Sequence, residues 1–338
     1  MKNVAEKKAA AANTISTRAL NRAFLARQML LERHRVSALD AIERLVGLQA
    51  QVARPPFVGL WTRLREFKRT DLVAALRDRR AVRVTAMRAT LHVMTTTDYI
   101  AMRGAMQPML TGGMESILRG RGAAVDLEII EVEARKFFGK SAATFDALRD
   151  HFKAKFPDSD ERAMAYAIRT HVPLVQVPTD APWAFPAAAD FALADRWLSK
   201  KVSTVGTPSL ATFRDARKRE LFDLPDAPRP DEATEAPVRF VPDFDNLVLS
   251  HDDRSRIITD AHRGRVTLKN LQVRATFLVD GMVAGTWKSE RKRDTAVLVI
   301  EPFGSIPKRV KVALEEEGDE LLAFLEADAL EREVRWAT

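Results

Sequence analysis

The chain has 338 residues, with 54 Lys+Arg against 46 Asp+Glu, a formal charge of +8 and no cysteine. This length suits roughly two to three domains, and the absence of thiols excludes disulfide scaffolds, thiolate nucleophiles and cysteine-ligated zinc or iron. No apolar run reaches the ~18 residues of a membrane span, so a cytoplasmic protein with no membrane partner is expected.

The charge is unevenly placed. Residues 1–125 hold 22 Lys+Arg against 9 Asp+Glu, and the remainder 32 against 37. A cationic first third is the footprint of a polyanionic partner, and also of an ordinary solvated helical surface.

Residues 1–16 are Ala-rich and lysine-bearing and read as a flexible basic tail. Ser16 or Thr17 can cap a helix with Leu20, Phe24 and Leu31 on one side and Arg18, Arg22 and Arg33 on the other. Ser37 and Asp40 then form a near capping box ahead of the apolar stripe Leu39, Ile42 and Val46. A third helix is predicted from Thr70 through Leu72 and Leu76 to Arg77, Arg79 and Arg80. Two β-rich segments follow, Val82 to Thr85 and Leu91 to Thr95, joined by a bend at Met87, Arg88 and Ala89.

Residues 17–96 thus read as three helices and a hairpin, the order of a winged helix, in which the third helix enters the major groove and the hairpin touches backbone or minor groove. The same order also serves protein–protein modules. On the first reading the expected DNA contacts are Arg22, Arg77, Arg80, Arg83, Arg88 and His92. His92 is also legible as a hydrogen-bonded structural group on its strand.

An amphipathic connector spans 97–125, where Met102, Met106 and Met109 at helical spacing read as core. A similar second module is expected over 126–186. Its helices run from about Asp126 to Phe138, Thr144 to Lys155 and Ser159 to His171, followed by a strand at Pro173 to Val177 and a wing at Pro178 to Pro186. From 187 to 237 the pattern weakens to one helix around Phe191 to Lys200, a polar passage, and a Pro- and acid-rich linker from Asp223. The β-rich segment 238–330 carries a hairpin signal at Asp280-Gly281, a further strand at Thr295 to Ile300, and a closing helix from about Ile306 to Glu326. Its basic tip, Lys288, Arg291, Lys292 and Arg293, reads either as a groove probe or as a solvated loop.

The segment with chemical promise is Gln49-Ala50-Gln51. On a continuous helix the two glutamines face nearly opposite ways. If the helix ends near Gly47 to Gln49 and the chain extends toward Pro55-Pro56, side chains two apart share a face, and both carboxamides can hold one water. A carboxamide takes no proton at neutral pH, so such a pair orients a water without strongly activating it. That suits a leaving group already activated, such as an alkylated purine with a positive charge. The plainer alternative is two glutamines satisfying backbone groups at a helix end. Asp243 and Asp245, also two apart, read as loop caps in preference to a metal pair.

An ordered series of short matches resembles the AlkZ/YcaQ-like winged-helix DNA glycosylases. It comprises Leu20-Asn21-Arg22, Gly47-Leu48-Gln49-Ala50-Gln51, Gly59-Leu60-Trp61, Arg88-Ala89-Thr90-Leu91-His92 and Asp98-Tyr99. It continues with Pro173-Leu174-Val175-Gln176, Glu220 through Pro225, Asp243 through Leu247, Ser250-His251, and Gly281 through Trp287. The resemblance implies an α+β fold, with tandem winged-helix modules followed by a C-terminal β-barrel-like domain with a terminal helix. It also implies a bacterial, monomeric enzyme acting on double-stranded DNA without cofactor or metal, which excises N3- or N7-alkylated or crosslinked purines. Gln49 and Gln51 would be its catalytic pair, and glutamine at 51 resembles the AlkZ-like branch. One departure stands out. Only the 33 residues 187–219 separate the second module from Glu220, short of the roughly 60 to 80 of a complete third one, so a truncated module is expected over 187–237. A non-catalytic DNA-binding or regulatory protein is the alternative this leaves.

Overall fold

The first helix does not join the helices that follow it in sequence. Ser16 caps α1 (Thr17–Arg27) by accepting from the Ala19 amide at 3.0 Å. Phe24 and Leu25 of α1 are buried against Val241, Leu247, Ile257 and Val283, far along the chain. In this computed structural model the described residues are 16–205, 228, 230–251 and 253–337, with backbone alone at 212–214 and 220–222. The expected basic tail, Ser16 excepted, the Glu220-to-Pro225 match beyond Phe222 and much of the truncated third module lie outside them. The contacts divide into two compact units, Arg35–Phe222 and the pair Met1–His34 with Asp223–Thr338. The module expected over 17–96 is therefore corrected: its first helix belongs to the C-terminal unit.

In the unit Arg35–Phe222, Ser37 and Asp40 close a reciprocal capping box that opens α2 (Ala38–Arg44). α2 ends in two left-handed residues, Val46 at φ 58° and Gly47 at φ 109°, which turn the chain into β1 (Leu48–Gln49). Gly47 is required there by its φ. A Cβ would also sit 3.1 Å from the Val93 carbonyl oxygen. α3 (Pro55–Trp61) follows, a helix not expected from sequence, with proline pre-set for its first turn and all seven residues buried. Next come α4 (Arg69–Arg77), β2 (Ala81–Thr85), β3 (Leu91–Thr95) and the long α5 (Thr96–Gly120). Then α6 (Leu127–Lys140), α7 (Phe145–Lys155) and α8 (Glu161–His171) start at the caps Asp126, Thr144 and Asp160, close to where the sequence places them.

β4 (Leu174–Gln176) and β5 (Phe191–Leu193) pair antiparallel, and α9 (Ala194–Leu198) follows. The helix expected from Phe191 thus begins three residues late, because Phe191 to Leu193 extend to pair with β4. These strands join those of the first module in one sheet of order β1-β3-β2-β4-β5. Strand alternation fixes two cores. Val82, Val84, Met94 and Val175 face Tyr99, Met106 and Leu110 of α5. Leu91, Leu174, Phe191 and Leu193 face the α6–α8 layer through Ile130, Phe138, Leu148 and Ile168. A short hairpin of β6 (Thr212–Arg214) and β7 (Glu220–Phe222) completes the described part.

The C-terminal unit contains β8 (Arg239–Val241), α10 (Asn246–Leu249), α11 (Asp260–Val266), β9 (Thr276–Val279), β10 (Met282–Lys292), β11 (Thr295–Pro302), α12 (Lys308–Leu325) and β12 (Glu331–Trp336). The strands order as β12-β11-β10-β9-β8, an open sheet, so the expected barrel-like closure is corrected. β12, unread in the sequence, returns parallel to β11 after the α12 crossover. The Asp280-Gly281 turn forms as predicted, with φ of 47° and 79°. Asp245 caps α10, and Asp243 accepts from the Ala275 amide, so both act as loop braces. The fold is mixed α+β. Among the described residues no helix is long and apolar enough to cross a membrane.

Candidate active site

Because α2 stops at Arg44 and the chain unwinds through Val46 and Gly47, Gln49 and Gln51 lie on extended backbone. Leu48 pairs with Val93 and Gln49 with His92, and the Ala50 amide donates to the Leu91 carbonyl at 2.7 Å. The two glutamines therefore share a face. Both carboxamides engage the hairpin between β2 and β3. Gln49 Oε1 accepts from Arg88 Nη2 at 2.7 Å, and Gln51 Oε1 accepts from the Leu91 amide at 3.3 Å. Both partners can only donate, which fixes each carboxamide with its oxygen toward the hairpin. Neither Nε2 has a protein partner among the described residues. Each oxygen keeps a second lone pair. Gln49 is 7% exposed and Gln51 is open to solvent.

The hairpin tip is strained. Arg88 and Ala89 both adopt left-handed φ, 57° and 55°, a conformation costing roughly 1–2 kcal/mol per non-glycine residue. The Arg88 amide meets Met109 Sδ at 3.3 Å, which draws Met109 of α5 out of the core expected for it, whereas Met106 is buried.

Arg83, expected on DNA, is 5% exposed beneath the motif. Its Nε and Nη2 donate to the Ala50 carbonyl at 2.9 and 2.7 Å, and Nη2 reaches the Gln51 carbonyl at 3.3 Å. Its guanidinium stacks 4.8 Å from the Phe185 ring centroid. Burial first, and then the charge of Arg169, pushes its pKa down to about 10, so it stays cationic at neutral pH.

His92 has no exposed surface, which removes it from the expected DNA contacts. Its Nδ1–H donates to the Thr90 carbonyl at 3.0 Å, leaving Nε2 as a buried acceptor without a protein partner. Burial chiefly, with Arg88 adding, lowers its pKa to about 4, against the raising effect of the Thr90 bond. At neutral pH His92 is uncharged and can supply no proton to a reaction.

The other sequence-predicted contacts are scattered. Arg22 is 1% exposed, paired with Asp280 and donating to the Thr234 carbonyl, so it is a brace for the Asp280-Gly281 turn and is withdrawn from the DNA set. Arg77 and Arg80 are exposed, but lie at the opposite end of β2 from the tip, about 17 Å of strand away. Arg77 is paired with Asp180 and Arg80 with Asp78. In the C-terminal unit, Lys288 pairs with Glu290, and Arg291 with Glu326 and Asp328, while Lys292 and Arg293 are exposed at the β10–β11 turn. Sequence reasoning missed the Leu91 amide, a backbone group with no side-chain signal.

The family model described as "DNA glycosylase AlkZ-like" matches residues 42–209 and 202–324. No curated protein sequence matches the chain. Among solved structures, the Streptomyces sahachiroi DNA glycosylase AlkZ aligns with a TM-score of 0.74 at 19% identity, covering 96% of this chain and 100% of that one. That likeness concerns the fold. The family match runs through both units and includes Gln49, Gln51, Arg83 and Arg88, and by it the chain belongs to the AlkZ-like family of DNA glycosylases, repair enzymes whose substrate is DNA.

Proposed function

We propose that the protein is a monofunctional glycosylase that hydrolyses the N-glycosidic bond of N3- or N7-alkylated purines, crosslinked purines included, with a water held by Gln49 and Gln51. The observation that carries this reading is the extended Gln49–Gln51 segment, with both carboxamides anchored on one hairpin and one of them open to solvent. Alkylation at N3 or N7 makes the base cationic. When the bond from C1′ to the base nitrogen breaks, its electron pair leaves with a neutral alkylated base and the sugar becomes oxocarbenium-like. A water oriented by the free lone pairs of Gln49 and Gln51 adds to C1′ and releases its proton to solvent. The base leaves already activated by its positive charge, so no strong general base is needed.

On this reading α2 to β3 and α6 to β5 are two winged-helix modules sharing a sheet. Each runs helix, short strand or bridge, two helices and two strands, the bridge of the second being Ala143 with Phe191. Arg77, Arg80, Arg88, Lys288, Arg291, Lys292 and Arg293 remain the cations that meet duplex backbone, and the enzyme acts as a monomer without metal. The test is base release from duplexes carrying N7-alkylguanine, N3-alkyladenine or an interstrand crosslink. Release exceeding the molar amount of protein is expected from at least one. Salt-sensitive duplex binding with no release from any of them would favour a non-catalytic DNA-binding protein.

A further inference from the structure

Backbone bonds close the tip of the hairpin between β2 and β3. The Ala89 amide donates to the Ala86 carbonyl at 3.0 Å, and the Thr90 amide to the Met87 carbonyl at 3.2 Å. The Arg88 amide leaves the hairpin and donates to Met109 Sδ on α5 at 3.3 Å. The guanidinium of the same residue donates to Gln49 Oε1 at 2.7 Å. Three elements thus supply one chain of contacts, from the Met109 thioether through Arg88 to the Gln49 carboxamide. Met109 is 43% exposed, so its contact with the Arg88 amide is not incidental to a place in the core. The hairpin of β4 and β5 repeats the turn with different partners. Trp183 and Ala184 are left-handed at φ 61° and 65°, and the Ala184 amide donates to the Ala181 carbonyl at 3.0 Å. There the tip side chain packs, with the Phe57 ring centroid 5.2 Å from that of Trp183 and the Arg69 guanidinium 4.7 Å over it. In both hairpins the left-handed tip residue sends its side chain to a partner outside the hairpin.

We propose that Met109 and Arg88 are positioning residues for the reaction. The Met109 thioether fixes the backbone of Arg88, and Arg88 holds the Gln49 carboxamide with Oε1 on the hairpin and one lone pair left for the water. A carboxamide turned by half a rotation exchanges donor for acceptor with almost no change of shape, so its partners alone set its orientation. Arg88 carries donors and no acceptor, which rules out the turned form. A left-handed residue other than glycine persists only where its surroundings over-determine it, and the Met109 contact acts at that residue. Without it the tip loosens and the guanidinium drifts from Gln49, where productive geometry tolerates displacements of only about 0.5 Å. This assignment rests on the glycosylase reading above, which gives Gln49 its task.

The experiment is single-turnover base release by the full chain from an alkylated duplex over a range of protein concentrations, which separates the maximal rate from half-saturation. Wild type, Met109→Leu, Arg88→Ala and the double variant are compared. Leucine keeps the apolar bulk of Met109 and removes the acceptor. Met109→Leu should lower the maximal rate by about 10-fold and leave half-saturation within about 2-fold, the pattern of a group that acts after binding. In the Arg88→Ala background it should have no further effect, because Met109 works through Arg88. An unchanged rate in Met109→Leu, a loss confined to half-saturation, or losses that add in the double variant overturn the proposal. Two further readouts need no turnover. The side-chain amide resonances of Gln49, identified by their loss in Gln49→Ala, should move in both Met109→Leu and Arg88→Ala, and their staying in place would overturn it. In wild type the Arg88 amide should exchange its hydrogen at least about 10-fold more slowly than an unprotected amide. Exchange at the unprotected rate breaks the chain at its first link, whether or not a variant folds. Release by wild type that Met109→Leu does not slow defeats the positioning role alone. Absence of release from wild type on every alkylated duplex, with the resonances and exchange as expected, defeats the glycosylase reading while the Met109–Arg88–Gln49 contacts stand.

Discussion

At the residue scale, the site depends on Val46 and Gly47, whose left-handed φ turns the chain out of α2 and onto extended backbone at Gln49. Gln49 and Gln51 stand out as a short polar pair after an apolar stripe, and the choice between helix and extended backbone is decided by Val46 and Gly47. The glycine is a visible signal for that break. The left-handed valine is not. Arg22, Arg83 and His92 read as surface groups because charge and titration suggest contact with a ligand, yet each is buried by partners distant in sequence. His92 yields a sharp prediction. Its folded pKa of about 4 lies below the ordinary 6.5, so the folded state favours the neutral ring. The stability this represents, roughly 3 kcal/mol in full, is present above pH 6.5 and is lost as pH falls toward 4. Urea unfolding at pH 7.5 and 5 should show a loss of about 2 kcal/mol in wild type that is absent from His92→Gln. Equal pH dependence in the two proteins would contradict the buried, neutral assignment.

At the scale of elements, capping chemistry located α2 and α6 to α8 to within a residue or two, because Ser37, Asp126, Thr144 and Asp160 bond to amides only a few positions on. α3 escaped, since Pro55-Pro56 was read as chain extension although proline also fits the first turn of a helix. β5 escaped because its partner β4 lies across a loop whose own turn, Trp183-Ala184, carries no glycine. The strained tip at Arg88-Ala89 is open to test. Ala89→Gly should raise stability by about 1 kcal/mol by relieving the left-handed φ, and thermal unfolding would read it; a lowered melting temperature would refute the strain. Gly281 is the converse. Its φ is 79°, and a Cβ would lie 2.6 Å from Arg22 Nη1, Asn21 Oδ1 and Leu25 Cδ1. Gly281→Ala should cost roughly 3 kcal/mol or more in denaturant unfolding, and a loss under about 1 kcal/mol would show that α1 does not press on this turn.

At the scale of the whole molecule, the sequence announces an α+β class and a cationic first third, but not how the chain divides. α1 is separated by about 200 residues from the segments that bury it, and the shared sheet joins strands from two stretches that each look self-contained. Such pairings leave no local periodicity to read. The barrel expectation failed for the same reason, since closure depends on whether β8 and β12 meet, and they do not pair. The most direct measurement of the central claim is single-turnover base release from an alkylated duplex, with duplex affinity measured in parallel, for wild type and the Gln49→Ala, Gln51→Ala double variant. The account predicts a fall in release rate of at least about 100-fold, with affinity changed by less than about 3-fold, as expected when groups acting on the transition state are removed. Release at the wild-type rate by the double variant would contradict it.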